Sequence, residues 1–108
     1  MSDALRLGMG TLGDSLANID GAAVPTNHIR FVKALTLCNK TATARHVTIT
    51  FAGTHVISEY IIPAQGGENT ITIPFFDQVM NATERIQGAA EAAAAIDYYI
   101  SGREVDVS

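Results

Sequence analysis

The sequence predicts an all-β chain: an antiparallel β-sandwich, jelly-roll or immunoglobulin-like, of about seven or eight short strands with an extended N-terminal arm. Three observations carry this. Apolar residues fall at every second position: Val47, Ile49 and Phe51 alternate with His46, Thr48 and Thr50, Ile71 and Ile73 with Thr70 and Thr72, and Ile96, Tyr98 and Ile100 with Asp97 and Tyr99. A period of two puts one set toward a core and the other toward water. Gly-, Pro- and Asn-containing turn signals recur at roughly eight- to twelve-residue spacing, as a sandwich requires. Finally, 108 residues with 47% hydrophobic and 17% charged content suit one globular domain with a core of its own.

The sequence divides into an arm, residues 1–25, and a sandwich domain, residues 26–108. The arm holds Gly8, Gly10, Gly13 and Gly21, a density that opposes a helix. It also carries Leu5, Leu7, Met9, Leu12, Leu16 and Ile19, and a free tail has little reason to hold six large apolar side chains. Two placements follow. The arm covers its own sandwich, with residues 15–20 as a first edge strand, or it reaches onto a neighbouring subunit.

After the Val24-Pro25-Thr26-Asn27 turn, residues 28–38 form a long strand with both parities partly apolar, as in a central strand covered on both sides. A polar turn at 39–43 leads to strand 45–51. Ala52-Gly53 then makes a two-residue hairpin into strand 54–62. In that register Val47 faces Ser58, Ile49 faces Val56 and His46 faces Glu59, which puts Val56, Ser58 and Tyr60 on the inner face. Residues 63–68 break the chain before strand 69–75, where Pro74 belongs at the strand end because it cannot donate to a ladder. Residues 76–84 are irregular, and Arg85-Ile86-Gln87 is a brief strand stopped by Gly88. The alanine-rich stretch 89–95 is either a tight bend or small-residue strand, or one helical turn favoured by propensity. Strand 96–100, a Ser101-Gly102 turn and a closing strand 104–107 complete the pattern.

Charge and composition narrow the function. The formal charge is −4, and the seven basic residues are scattered, so neither nucleic acid nor an anionic membrane is an expected partner. Aromatics are 6% with no Trp, which disfavours modules that stack sugars or bases. Met1–Gly10 has no basic start and no apolar segment of signal-peptide length, so a soluble product made in the cytosol is expected. Cys38, the single cysteine, sits in an apolar strand pattern and reads as core filler, with a reactive or intersubunit thiol as the alternative.

No catalytic constellation stands out. His46 and His55 share an outer face near Glu59, but they are too far apart along a ladder to converge on one metal ion. Ser58 points inward and lies in no nucleophile elbow. Asp77, Glu84 and Glu91 fall in segments of undefined geometry. Residues 8–13 match GxGxxG without the strand and helix that give that motif meaning. The expectation is a protein that is not an enzyme and takes no metal or cofactor.

The order of segments adds a resemblance. A Gly-rich start leads to Val24-Pro25, then Phe31-Val32-Lys33-Ala34-Leu35-Thr36-Leu37-Cys38-Asn39-Lys40-Thr41-Ala42, and then Val47-Thr48-Ile49. A Pro63-Ala64-Gln65-Gly66-Gly67-Glu68-Asn69-Thr70 turn follows, then Arg85-Ile86-Gln87-Gly88 and a closing Tyr99-Ile100-Ser101-Gly102-Arg103-Glu104-Val105. This resembles the small β-sandwich accessory structural proteins of tailed bacteriophages, found in heads, necks and tail fibres. The resemblance spans roughly residues 20–105 and departs from the family pattern at Thr83-Glu84-Arg85-Ile86 and in the alanine run. It implies a virion protein, made in the host cytoplasm, that works by binding and assembles in symmetric copies. The expected role is capsid decoration: a homo-oligomer, a trimer or similar, bound to the major capsid protein or other virion proteins. The arm residues Leu5, Leu7, Met9, Leu12 and Leu16 would form the apolar centre of that contact, so removing residues 1–13 would leave the sandwich folded but unable to attach. The alternatives are a neck or tail accessory subunit and a carbohydrate- or receptor-binding module, with Tyr99 the best aromatic platform.

Overall fold

The computed structural model describes residues 2–107, and the side chains of residues 5–75 and 78–107. The described residues form eight strands: β1 (Ser2–Thr11), β2 (Ala17–Asn18), β3 (His28–Asn39), β4 (Arg45–Phe51), β5 (Thr54–Ile62), β6 (Thr70–Met80), β7 (Ile86–Ala90) and β8 (Ile96–Asp106). They make two four-stranded sheets, ordered β1-β8-β3-β6 and β2-β7-β4-β5, with every pairing antiparallel. Successive strands alternate between the sheets at both ends of the chain, which is the double Greek key of a jelly roll.

The core forms where the inward parities meet. Val32, Leu35, Leu37, Ile96 and Ile100 come from the first sheet, and Val47, Ile49, Phe51 and Ile86 from the second. Each is under a tenth exposed, and burying a side chain of this size stabilises by roughly 1.5–3 kcal/mol. Along the open flank, Phe51 and Phe75 close the seam ring to ring at 5.2 Å.

The N-terminal stretch lies in cis. Residues 2–11, expected as part of an arm, are the edge strand β1, paired with β8 from Ser2↔Val105 to Thr11↔Asp97. Gly8 is there for close approach: a Cβ at that position would collide with the carbonyl oxygen of Ile19. The Gly21 N–H then donates to the Leu7 carbonyl at 2.8 Å, tying the start of the chain to the loop after β2. A boundary at residue 25 therefore divides nothing, because β1 and β2 supply one edge of each sheet. Removing residues 1–13 would take away the β1 edge together with the buried Leu7 and Leu12.

Three local expectations are also corrected. The β4–β5 hairpin starts with the two-residue loop, Phe51↔Thr54 and Thr50↔His55, but two register shifts follow, giving Ile49↔Ile57, Val47↔Tyr60 and His46↔Ile61. Each bulge adds a residue to one strand and changes which parity faces inward. Hence Ile57, not Val56, Ser58 or Tyr60, packs against the core. Ser101-Gly102 is not a turn: β8 runs through it, and Gly102 lies where a Cβ would collide with the Phe31 carbonyl. Cys38 is half-buried on the outer face of the first sheet, between Thr70 and Asp97, and is not core filler.

The alanine-rich stretch is strand and then bend. Ala89 and Ala90 end β7, and Ala94 turns the chain with φ of 61°. Smallness matters on β7, since a Cβ at Gly88 would meet Ile49 Cδ1 at 2.8 Å and Ile19 Cδ1 at 3.0 Å. The large side chains of the neighbouring strands fill that space, so packing overrides helix propensity.

Candidate interaction surfaces

The interior holds two buried polar clusters. Arg30, on the inward parity of β3, and Asp20, in the loop after β2, are both buried polar residues. The Arg30 guanidinium donates to Glu104 Oε1 from Nε (3.1 Å) and Nη2 (2.8 Å), and from Nη1 to the Ala22 carbonyl (2.8 Å). Asp20 accepts from Arg85 Nε at 2.8 Å and from the Ile86 N–H at 3.1 Å. Two arginines and two carboxylates are thus joined between the sheets, and the Ala22 and Asp20 carbonyls each accept a further guanidinium N–H. A second buried polar group, Asn39, is fully enclosed. Its Nδ2 donates to the carbonyls of Thr43, Ile62 and Pro63, and its Oδ1 accepts from Thr41 N–H and Oγ1. Sequence reasoning passed over both clusters, although a charge on the inward parity of a central strand was a visible signal.

The five apolar residues assigned to partner binding are separated by the fold. Leu7 (5% exposed) and Leu12 (1%) belong to this chain's own core, because a bulge after Arg6 turns Leu7 inward and Leu12 follows the last β1 pair into the seam. Leu5, Met9 and Leu16 remain exposed, on β1 or just before β2. The opposite edge strands carry exposed Val56, Tyr60 and Ile61 on β5 and Val79 on β6, with Ile61 opposite His46 in the second sheet and Val79 opposite Phe31 in the first. On the outer face of the first sheet, Tyr99 stands exposed between its cross-strand neighbours Met9 and Thr36. Farther along that face, the Arg103 guanidinium lies 4.3 Å over the Phe31 ring.

The remaining polar candidates stay apart. His46 faces Ile61 and His55 faces Thr50 across the hairpin, and the Glu59 N–H donates to Thr48 Oγ1. Glu91 accepts the His46 N–H at 3.0 Å, and Glu84 accepts the Asn81 N–H at 2.6 Å. Ser58 is exposed, and the Asp77 side chain lies outside the described ones. Among the described residues no three His, Cys, Asp or Glu side chains converge on one point. Two groups titrate away from their ordinary range. The Thr11 hydroxyl holds the Asp97 carboxyl below the usual carboxylate value, helped by Lys40 and opposed by slight burial. Burial, with the Asp20 charge, pushes the Tyr98 phenol up while its hydroxyl donates to the Ile19 carbonyl.

No family model matches this sequence, and no curated protein does. Among solved structures the chain is similar to one in the acid-stable capsid of Helicobacter pylori bacteriophage KHP30, with TM-score 0.52 and 9% identity over 96% of this chain and 92% of that one. It is similar to a chain of the disulfide-linked endospore pili of Bacillus, with TM-score 0.51 and 17% identity over 100% and 88%. An exo-β-1,3-galactanase from Phanerochaete chrysosporium gives TM-score 0.44 and 20% identity over 94% of this chain, which spans 29% of the galactanase. At these identities what the first two share with this chain is the jelly-roll sandwich, built at nearly the same length.

Proposed function

We propose that this chain is a structural subunit of a bacteriophage virion, acting as a decoration protein on the capsid surface and working by binding alone. The observation that carries the reading is the near end-to-end match of its jelly roll to a chain of a phage capsid. The segment order that resembles accessory proteins of tailed phages points the same way. The physical requirements of such a subunit are modest: a rigid scaffold and exposed apolar area. A standard interface buries about 800 Å² per partner, and this domain exposes nine large hydrophobics among its described residues, seven of them on or beside edge strands. In this reading the buried Asp20–Arg30–Arg85–Glu104 cluster sets the shape of the scaffold and takes no part in any reaction.

Cryo-electron microscopy of purified particles, with mass spectrometry of their proteins, tests the proposal. The expected result is density for this fold on the outside of the head. Density at the neck or tail would make it an accessory subunit there, and absence from particles would sink the virion reading. Glycan binding by the isolated protein, lost in Tyr99→Ala, would favour a carbohydrate-binding module instead.

A further inference from the structure

Two arginines meet on the outer face of the first sheet. Arg6 on β1 faces Ser101 on β8, and Arg103 is the next outward residue of β8, so the two are diagonal neighbours across the β1–β8 pair. Cβ atoms so placed lie about 7–8 Å apart, which lets both guanidinium groups reach the space above the Ser101 hydroxyl. Among the described residues neither arginine is in an ion pair. The interior carboxylates go to Arg30 and Arg85, and Asp97, on this same face, is held by Lys40 at 3.1 Å and by the Thr11 hydroxyl at 2.7 Å. Arg103 is also fixed in place, its guanidinium 4.3 Å over the Phe31 ring. A cation already ordered by stacking loses little freedom when an anion arrives. On the other side of Arg6 stand Met9 and Tyr99, cross-strand neighbours of each other, 54% and 46% exposed. Arg, Tyr and Met are residues that the centres of protein–protein contacts favour.

We infer that this face docks an acidic segment of a partner protein, one that sets carboxylates against Arg6 and Arg103 and an apolar side chain against Met9 and Tyr99. Charge singles out the occupant. The chain carries −4 overall, yet two arginines without carboxylate partners among the described residues sit side by side here. The face therefore complements an acidic surface, which the net charge of the molecule otherwise disfavours. A guanidinium matches a carboxylate with two parallel hydrogen bonds, and a sheet holds the two arginines at a fixed separation. A nucleic-acid backbone is the wrong shape of anion. It needs a track of cations, and the nearby Lys40 is already tied to Asp97. The inference rests on the structural-subunit reading, to which it adds the face used and the chemistry of the partner.

NMR titration of the isotope-labelled full chain with a synthetic peptide of alternating glutamate and valine provides the test. The expected result is movement of the Arg6 and Arg103 side-chain N–H resonances and of the Met9 and Tyr99 amides, fading as salt is added. The matching glutamine–valine peptide should bind about tenfold more weakly, since it lacks the charge. Arg6→Gln and Arg103→Gln should each weaken binding several-fold while melting like wild type. Arg45→Gln, which removes the same charge from β4, should bind as wild type does. The inference is overturned if the glutamate peptide moves none of these resonances, if the glutamine peptide binds as well, or if Arg45→Gln weakens binding as much as the other two. Tighter binding of a single-stranded oligonucleotide at the same resonances also overturns it. So does their movement on concentrating the protein alone, which would make the occupant a second copy. Peptide binding by a protein absent from particles would sink the structural-subunit reading and leave the docking face standing. A protein found on the head that ignores the peptide would do the reverse.

Discussion

Asp20 and Arg30 meet at 3.6 Å in the seam between the sheets, the first side chain fully excluded from water and the second 8% exposed. Asp20 also holds Arg85 and the Ile86 N–H, so one carboxylate joins the loop after β2 to strands of both sheets. Removing it leaves Arg30 to Glu104 alone and the Ile86 N–H without its acceptor, which typically costs about 1–3 kcal/mol. Asp20→Ala should lower stability by that order in a denaturant titration. Asp20→Ala with Arg85→Leu should lose less than the sum of the single changes, as expected for residues in one network.

Thr50 presents the opposite case. Its Oγ1 is buried on the outer face of the second sheet and has no hydrogen-bond partner. A buried unpaired hydroxyl costs roughly 1–3 kcal/mol relative to an apolar group of the same shape. Thr50→Val should leave the melting temperature unchanged or raise it. A clear loss of stability would show that the hydroxyl has a partner such as ordered water.

Asn39→Leu should behave unlike Thr50→Val although both positions are buried. It leaves three carbonyls and the Thr41 N–H without their side-chain partner, at about 1–3 kcal/mol for each group that water cannot reach. Hydrogen exchange should report faster opening of the 39–43 turn and the end of β5.

The hairpin loop offers a stabilising change. Ala52 sits at φ of 53° and Gly53 at 81°, the backbone of a type I′ turn. The left-handed region costs a non-glycine residue about 1–2 kcal/mol, and Asn tolerates it best. Ala52→Asn should therefore raise stability by a fraction of that amount, measurable as a higher denaturation midpoint at unchanged slope.

The two shifted titrations have opposite signs. Asp97 is depressed in the fold, so its small contribution is present above the ordinary carboxylate value and fades as pH falls through its lowered one. Thr11→Val should move its carboxyl resonance titration upward, toward the ordinary carboxylate value. Tyr98 is raised, so its contribution holds below the ordinary phenol value of 10.0 and is lost as pH rises through the elevated one. Tyr98→Phe should flatten the alkaline loss of stability.

The sandwich was legible because period-two alternation reports burial directly: Val47, Ile49 and Phe51 face the core, as their spacing implies. The strands of the arm were not, because Gly8 and Gly10 read as looseness when Gly8 in fact permits contact between β1 and the Ile19 carbonyl. Parity failed on β5 because a bulge leaves no mark in composition. Glu59, left-handed with φ of 51°, is an ordinary surface residue by sequence. The candidate surfaces were half legible. Met9, Leu5 and Leu16 were singled out, but the β5/β6 flank was hidden by the mistaken register, which had placed Tyr60 inside.

The crookedness of β5 also bears on how the chain avoids becoming fibre. A straight, greasy border strand is a template onto which further molecules stack without limit, and Val-Ile-x-x-Tyr-Ile-Ile has the composition for it. Two kinks and a left-handed residue within nine positions spoil the repeat that amyloid growth requires. The same bends keep this apolar border from being extended strand upon strand by further copies.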